Sequence, residues 1–116
     1  MAIRNPVVEM LGERTLRVTW SDLLNGDQGA PVDLPAFADR SVQVVGTFGS
    51  GGAVSMEGSN DGNNFSAVSD PRGSALVITT ARIEQIEDCV YRTRPNITGG
   101  DGTTNLTVVL FARKAF

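Results

Sequence analysis

The chain is 116 residues long, 41% hydrophobic and 20% charged, with a net charge of −3 at pH 7. That length suffices for one domain, and a chain of this size buries about two-thirds of its unfolded surface without disulfides or metal. The acidic balance leaves no electrostatic footprint for nucleic acid, no apolar run nears the roughly 20 residues that span a bilayer, and the absence of histidine removes Ser-His-Asp and Cys-His catalysis.

Residues 1–12 read as an N-terminal arm and residues 13–116 as a single β-sandwich domain. In the arm, Arg4, Asn5 and Pro6 interrupt the apolar run, which makes it a poor secretory signal. Ile3, Val7, Val8, Met10 and Leu11 would fray if left uncovered. They either complete the sandwich as edge strands or lie on a partner. In "ERTLRVTW", Leu16, Val18 and Trp20 share one face of a strand. Residues 23–40 form a long loop, and loops of that length usually serve function or an interface.

Further along, "SVQVVGTF" lines Val42, Val44 and Phe48 on one face, and "AVSMEGS" sets Val54 and Met56 against Ser55 and Glu57. Asn60, Asp61 and Gly62 are a hairpin turn, since Asp-Gly between alternating segments supplies the positive φ that such turns need. One carboxylate in that turn is too few for a tight calcium site. "DPRGS" is a second turn, leading into the β-branched run "ALVITT". "ARIEQIED" has the spacing for one helical turn. "DCVYRTRPNI" places Cys89, Tyr91, Thr93 and Ile97 opposite Val90, Arg92 and Arg94. Cys89 then reads as an inert core thiol, and a single cysteine excludes an internal disulfide. Gly99, Gly100, Asp101 and Gly102 are the turn of a final hairpin. The last strand points Leu106, Val108 and Leu110 inward, with Val109 and Phe111 on its other face. Either the loop at 23–40 or another subunit covers that second face.

These elements predict an all-β fold, an antiparallel β-sandwich of jelly-roll or Greek-key type with seven or eight strands. Catalytic chemistry is missing. The carboxylates are scattered through turns, no zinc-type cluster exists, and the glycine-rich pieces "GTFGSGG" and "TGGDGTT" lack the Lys-Ser/Thr ending of a phosphate loop. No enzyme activity, cofactor, metal or small-molecule substrate is expected. What remains is surface: Ile3, Val7, Val8, Met10, Leu11, Val109, Phe111 and Phe116 as apolar contact residues. Arg92 and Arg94 share one strand face, as solvated charges or as ion-pairing groups for a partner.

Two resemblances attach to these residues. Gly58-Ser59-Asn60-Asp61-Gly62, followed by the aromatic Phe65, resembles a strand-turn-strand of the discoidin-like, galactose-binding jelly rolls. "GTFGSGGAVSMEGSNDGNNFSAVSDPRGSALVIT" together with "RPNITGGDGTTNLTVVLFAR" is similar to small structural proteins encoded beside the major capsid protein of tailed bacteriophages. Those are regarded as capsid decoration, or cement, proteins that clamp neighbouring capsid subunits from outside. The second resemblance implies a virion protein on the outer capsid surface, made in the host cytoplasm. Its implied partners are the major capsid protein and further copies of itself, as a homodimer or homotrimer, with no nucleic acid and no membrane. A carbohydrate-binding surface module and a head–tail or tail component are the alternatives.

Overall fold

Side chains along a strand alternate between its faces, so a run such as Leu16, Val18 and Trp20 needs a second layer to cover it. The computed structural model describes residues 2–114 and supplies that layer as two sheets packed face to face. Phe116, expected at the interface, lies outside the described residues. In chain order the strands are β1 (Ile3–Arg4), β2 (Val7–Met10), β3 (Thr15–Leu24), β4 (Gln28–Gly29), β5 (Val32–Asp33) and β6 (Phe37–Thr47). There follow β7 (Ala53–Ser59), β8 (Ser66–Ala67), β9 (Val77–Ile78), β10 (Arg82–Ile86), β11 (Arg92–Thr98) and β12 (Asn105–Lys114). The five-stranded sheet is ordered β10-β6-β12-β3-β2. The seven-stranded sheet is ordered β1-β4-β11-β7-β8, with β5 also on β11 and β9 also on β7. Every pairing is antiparallel except β1 with β4. The chain changes sheet after β1, β3, β5, β6, β9, β10 and β11, the winding of a jelly-roll-type sandwich.

The core follows the alternation. Leu106, Val108 and Leu110 of the central strand β12 are fully buried, as are Val42 and Val44 beside them. Val54, Met56 and Ile97 face them from the other sheet. In β3 the period breaks once. Trp20 and Leu23 are both buried although three positions apart, because the pairing with β12 shifts between Leu106 and Val108. Asp22 takes up the extra residue with φ of 55°. Aspartate tolerates this left-handed conformation better than most side chains, and the bulge returns Leu23 to the core.

Where the sheets close at one edge, Gly29 is wedged between two rings. A Cβ there would sit 2.6 Å from both Trp20 Cδ1 and Pro95 Cδ. The Trp20 indole N–H donates to the Ala30 carbonyl at 2.9 Å, so the buried ring has its polar atom satisfied. Pro95, which has no N–H, sits in β11 opposite the interval between β4 and β5, where the ladder on that side is already interrupted.

Several expectations are corrected. Residues 28–33 are not plain loop, since β4 and β5 pair with β11 in the seven-stranded sheet. Of the two readings of the N-terminal segment, the structure has edge strands, β1 on one sheet and β2 on the other. "ARIEQIED" contains β10, paired with β6 from Arg82 to Ile86, and not a helical turn. "GGDGTT" is not a hairpin turn, because, like "GSGG", it carries the chain between sheets. They lie side by side and are tied together: the Ser50 N–H donates to Asp101 Oδ2 at 2.8 Å, and the Thr104 hydroxyl donates to the Phe48 carbonyl at 2.8 Å. Gly99 and Gly100 there have φ of 65° and 101°, which glycine accepts without strain. The Asn60-Asp61-Gly62 turn is a hairpin loop as expected, joining β7 to β8. Cys89 is exposed, not core, because β11 starts only at Arg92 and the alternation does not extend back to it.

Gly29→Ala has no room for its methyl group between two rigid rings. It is expected to destabilise the fold by about 1–3 kcal/mol, read as a lower urea midpoint at unchanged slope. An unchanged midpoint would show that the two rings can separate freely.

Candidate functional site

The outward face of the five-stranded sheet collects most of the apolar residues read from the sequence. Register places them in rows. Val7 lies opposite Thr19, Thr19 opposite Val109, Val109 opposite Gln43, and Gln43 opposite Ile83. The next row runs Glu9, Arg17, Phe111, Ser41, Gln85 across the same five strands. Val45 continues the apolar part beside Thr107. Val7 is 62% exposed, Ile83 61% and Phe111 41%, while Val109 is half-buried by its neighbours. No segment of the described chain folds over this face; within the stretch at 23–40, β4 and β5 belong to the opposite sheet.

The charges on this face are neutralised in place. Arg17 pairs with Glu9 at 3.2 Å and Arg113 with Asp39 at 2.9 Å. Asp39, Arg40, Ser41, Gln85, Phe111 and Arg113 outline a shallow depression of about 350 Å³ next to the Phe111 ring. The surface is therefore flat and apolar along its middle, with paired charges toward one end. Such a surface suits contact with another protein more than capture of a small ligand.

Ile3, Val8, Met10 and Leu11 lie around the edge formed by β1 and β2, and all are exposed. Val8 and Met10 pair with the buried Val18 and Leu16, so they point to the core side of the sheet, but past the margin of the other layer. β2 is exposed at all four positions. Asp27 anchors this edge. Its carboxylate accepts from the Ala2 and Leu24 N–H groups at 3.0 and 2.9 Å and pairs with Arg4 at 3.0 Å. Burial pushes the Asp27 carboxyl up, yet the Leu24 and Ala2 donors and the Arg4 guanidinium outweigh it and hold it below the ordinary value.

Arg92 and Arg94 do not join this set. They project from the opposite sheet and are already paired within the chain: Arg92 Nε with Asp33 Oδ1 at 2.6 Å, and Arg94 Nε with Glu57 Oε1 at 3.0 Å. The Arg94 guanidinium also lies 3.8 Å above the centre of the Phe65 ring. The hydrogen bond from Arg92 holds the Asp33 carboxyl below its ordinary value. In the neighbouring loop Asp61 gathers the N–H groups of Asn63 and Asn64, the Asn64 amide and the Ser59 hydroxyl, all at 2.7–2.8 Å. Those donors, Asn64 first, hold its carboxyl far below the usual range. The oxygens of Asp61 are thus used by the turn itself. Among the described residues no group of three or more His, Cys, Asp or Glu side chains is placed to hold a metal ion.

Ile83 and Val45 escaped the sequence reading. In β10 the side chains in core phase are Arg82, Glu84 and Ile86, so polarity along the strand is inverted, and Ile83 stands outward between them. Arg82 and Glu84 pair with each other at 3.8 Å at the sheet margin, which lets charges occupy the inner phase.

The fold and this face define an antiparallel β-sandwich of jelly-roll type, presenting an open apolar sheet face. No protein-family model matches the chain, and no curated protein matches its sequence. Among solved structures, the SPBc2 prophage-derived protein YomS is similar with a TM-score of 0.60 at 9% identity, over 90% of this chain and 98% of that one. BH2720 from Bacillus halodurans has a TM-score of 0.49 at 12% identity, over 96% of this chain and 71% of that one. A cupin domain from Bordetella pertussis Tohama I has a TM-score of 0.46 at 15% identity, over 96% and 92%. The likeness to YomS is one of fold.

The Asp27 anchor sets a pH dependence. A carboxyl lowered in the folded chain gives stability that is complete above the ordinary value of 3.8 and lost as pH falls through the folded value. Gln28 and Ala30 donate their N–H groups to the Ala2 and Arg4 carbonyls, so their amide exchange reports on the edge. Their protection should hold at neutral pH and fall first on acidification, and Asp27→Asn should lower it already at pH 7. Equal protection in the variant would show that Asp27 does not anchor β1.

Proposed function

We propose that this chain is a structural protein of a tailed-bacteriophage particle, a decoration protein that lies on the outer capsid surface and stabilises the shell. The observation that carries the reading is the uncovered apolar face of the five-stranded sheet, with Val7, Val109, Phe111 and Ile83 in adjacent rows. Its strand dimensions matter here. Three strands of 10 or 11 residues and two shorter ones present roughly 600 Å² in projection, at about 3.3 Å per residue and 4.8 Å between strands. That approaches the roughly 800 Å² each partner contributes to a specific interface. The fold shared with a prophage-derived protein is consistent with a phage origin, and the resemblance of "SNDG" and "GGDGTTNLTV" to small phage structural proteins encoded beside the major capsid protein points the same way.

In this role the major capsid protein is the partner, and many equivalent attachments on one shell add by multivalency. Closed oligomers of the chain would suit the symmetry axes of a shell. A carbohydrate-binding module built on the "SNDGNNF" loop calls for a bare aromatic ring there, whereas Phe65 is covered by Arg94. Purified protein should bind mature shells that lack it and raise the temperature at which they break. Shells equally heat-resistant with and without bound protein would contradict the cement role. Electron microscopy of labelled particles separates the shell reading, with signal over the whole head, from a head–tail or tail component, with signal at one vertex or along the tail.

Phe111→Thr tests the face itself. Threonine is β-branched and, like phenylalanine, suits a strand, so stability should change by less than about 1 kcal/mol. Shell binding should weaken at least about tenfold, equivalent to about 1.4 kcal/mol. Unchanged binding would remove Phe111 from the contact.

A further inference from the structure

Arg40 is the odd residue of the core. It sits in β6 in phase with Val42 and Val44, so its side chain runs inward, and the residue is 3% exposed. Its Nε donates to the Phe37 carbonyl and one Nη to the Leu34 carbonyl, each at 2.9 Å. The other terminal nitrogen, Nη1, is buried with no hydrogen-bond partner, and it is the one such side-chain atom among the described residues. Among those residues no carboxylate stands within ion-pairing distance of Arg40. Two carbonyls give a guanidinium dipoles but no counter-charge, and a buried charge without one is costly. What does face it is sulfur. Cys89 Sγ lies 3.8 Å from Nη2 and 3.9 Å from the Phe37 carbonyl oxygen, on an exposed residue. Burial pulls the Arg40 guanidinium down from its ordinary value, and the neighbouring Cys89 sulfur opposes this.

We propose that Cys89 is an oxidative modification site whose anionic product, the sulfinate, is held by the Arg40 guanidinium. The steps are ordinary thiol chemistry with hydrogen peroxide as oxidant. The sulfur displaces water from one peroxide to give the sulfenic acid, with its thiol proton leaving in that water. A second peroxide converts sulfenic to sulfinic acid with loss of another water, and the sulfinic acid ionises. Each step takes two electrons from sulfur and reduces one peroxide. The sulfinate brings two oxygens and a negative charge to a guanidinium that has donors to spare, in the charge-assisted geometry that arginine favours. Oxidation here strengthens the fold, whereas adding charge beside a packed core usually weakens it. The modified residue ties the segment before β11 to the turn between β5 and β6, since Arg40 already holds that turn through Leu34 and Phe37.

The inference does not depend on the capsid role, and its test uses the purified chain alone. One arm treats the folded protein with hydrogen peroxide and follows Cys89 by mass spectrometry and the melting temperature by calorimetry. Sulfinate should form, and the melting temperature should rise by roughly 4 °C or more, the shift that a stabilisation of about 1 kcal/mol gives a domain near this size. The other arm compares Cys89→Asp, which mimics the sulfinate charge, with Cys89→Asn, which has the same shape without it. Cys89→Asp should melt higher, and the difference should vanish when Arg40→Met is added to both. If Arg40→Met does not fold, the comparison of the two single variants stands by itself. Sulfinate with an unchanged or lower melting temperature overturns the proposal. So does a thiol that peroxide leaves untouched in the folded chain while oxidising it in urea, or a Cys89→Asp variant no more stable than Cys89→Asn.

Discussion

A strand at the centre of a two-layer sandwich has one face in the core and one turned out, and that constraint on β12 governs the rest of the molecule. Leu106, Val108, Leu110 and Ala112 fill the inner face and are all buried. Their neighbours in register, Val42 and Val44 on β6 and Leu16 and Val18 on β3, are buried with them. The same alternation forces Val109 and Phe111 outward, where a solitary sandwich would be expected to carry polar side chains. An inner layer held this firmly leaves the outer rows flat and fixed in spacing. The open apolar face is thus a by-product of the register that builds the core.

Firmness of the slab depends on how its two ends and one edge are closed. At one end the two crossovers lean on each other through Asp101 and Thr104. At the edge Trp20 and Pro95 close over Gly29, and Asp27 pins β1 beside β4. Because β1 and β2 follow each other in the chain but belong to different sheets, that pinning also places β2 and its exposed Val7 at the margin of the apolar face. The Arg40 guanidinium holds the β5–β6 turn without a full set of partners, its Nη1 being the one buried side-chain nitrogen or oxygen among the described residues that lacks a partner.

Much of this was legible beforehand. Alternation in "TLRVTW", "VQVV", "VSM" and "NLTVVL" identified the strands, their buried faces and the outward Val109 and Phe111. Asp-Gly at 61–62 identified a true hairpin. What escaped was long-range. "GSGG" and "GGDGTT" carry the same local turn chemistry as a hairpin, and only the pairing of β6 and β12 in one sheet and β7 and β11 in the other makes them crossovers. β4 and β5 have two residues each, too few for any period to register. β10 was hidden because Arg82 and Glu84 occupy the inner phase, tolerable only at a sheet edge. Arg92 and Arg94 were visible as a pair, but Asp33 and Glu57, which neutralise them, are 59 and 37 positions away. Sequence spacing does not report such partners.

The central claim is that the outer face of the five-stranded sheet is the surface by which the protein holds to a shell. Electron cryomicroscopy of mature shells carrying the bound protein tests it directly. The β2-β3-β12-β6 face should be turned toward the capsid subunits at every equivalent position, with Val7 and Phe111 in the contact. Density joining the shell through the seven-stranded sheet, or confined to a single vertex, would contradict it.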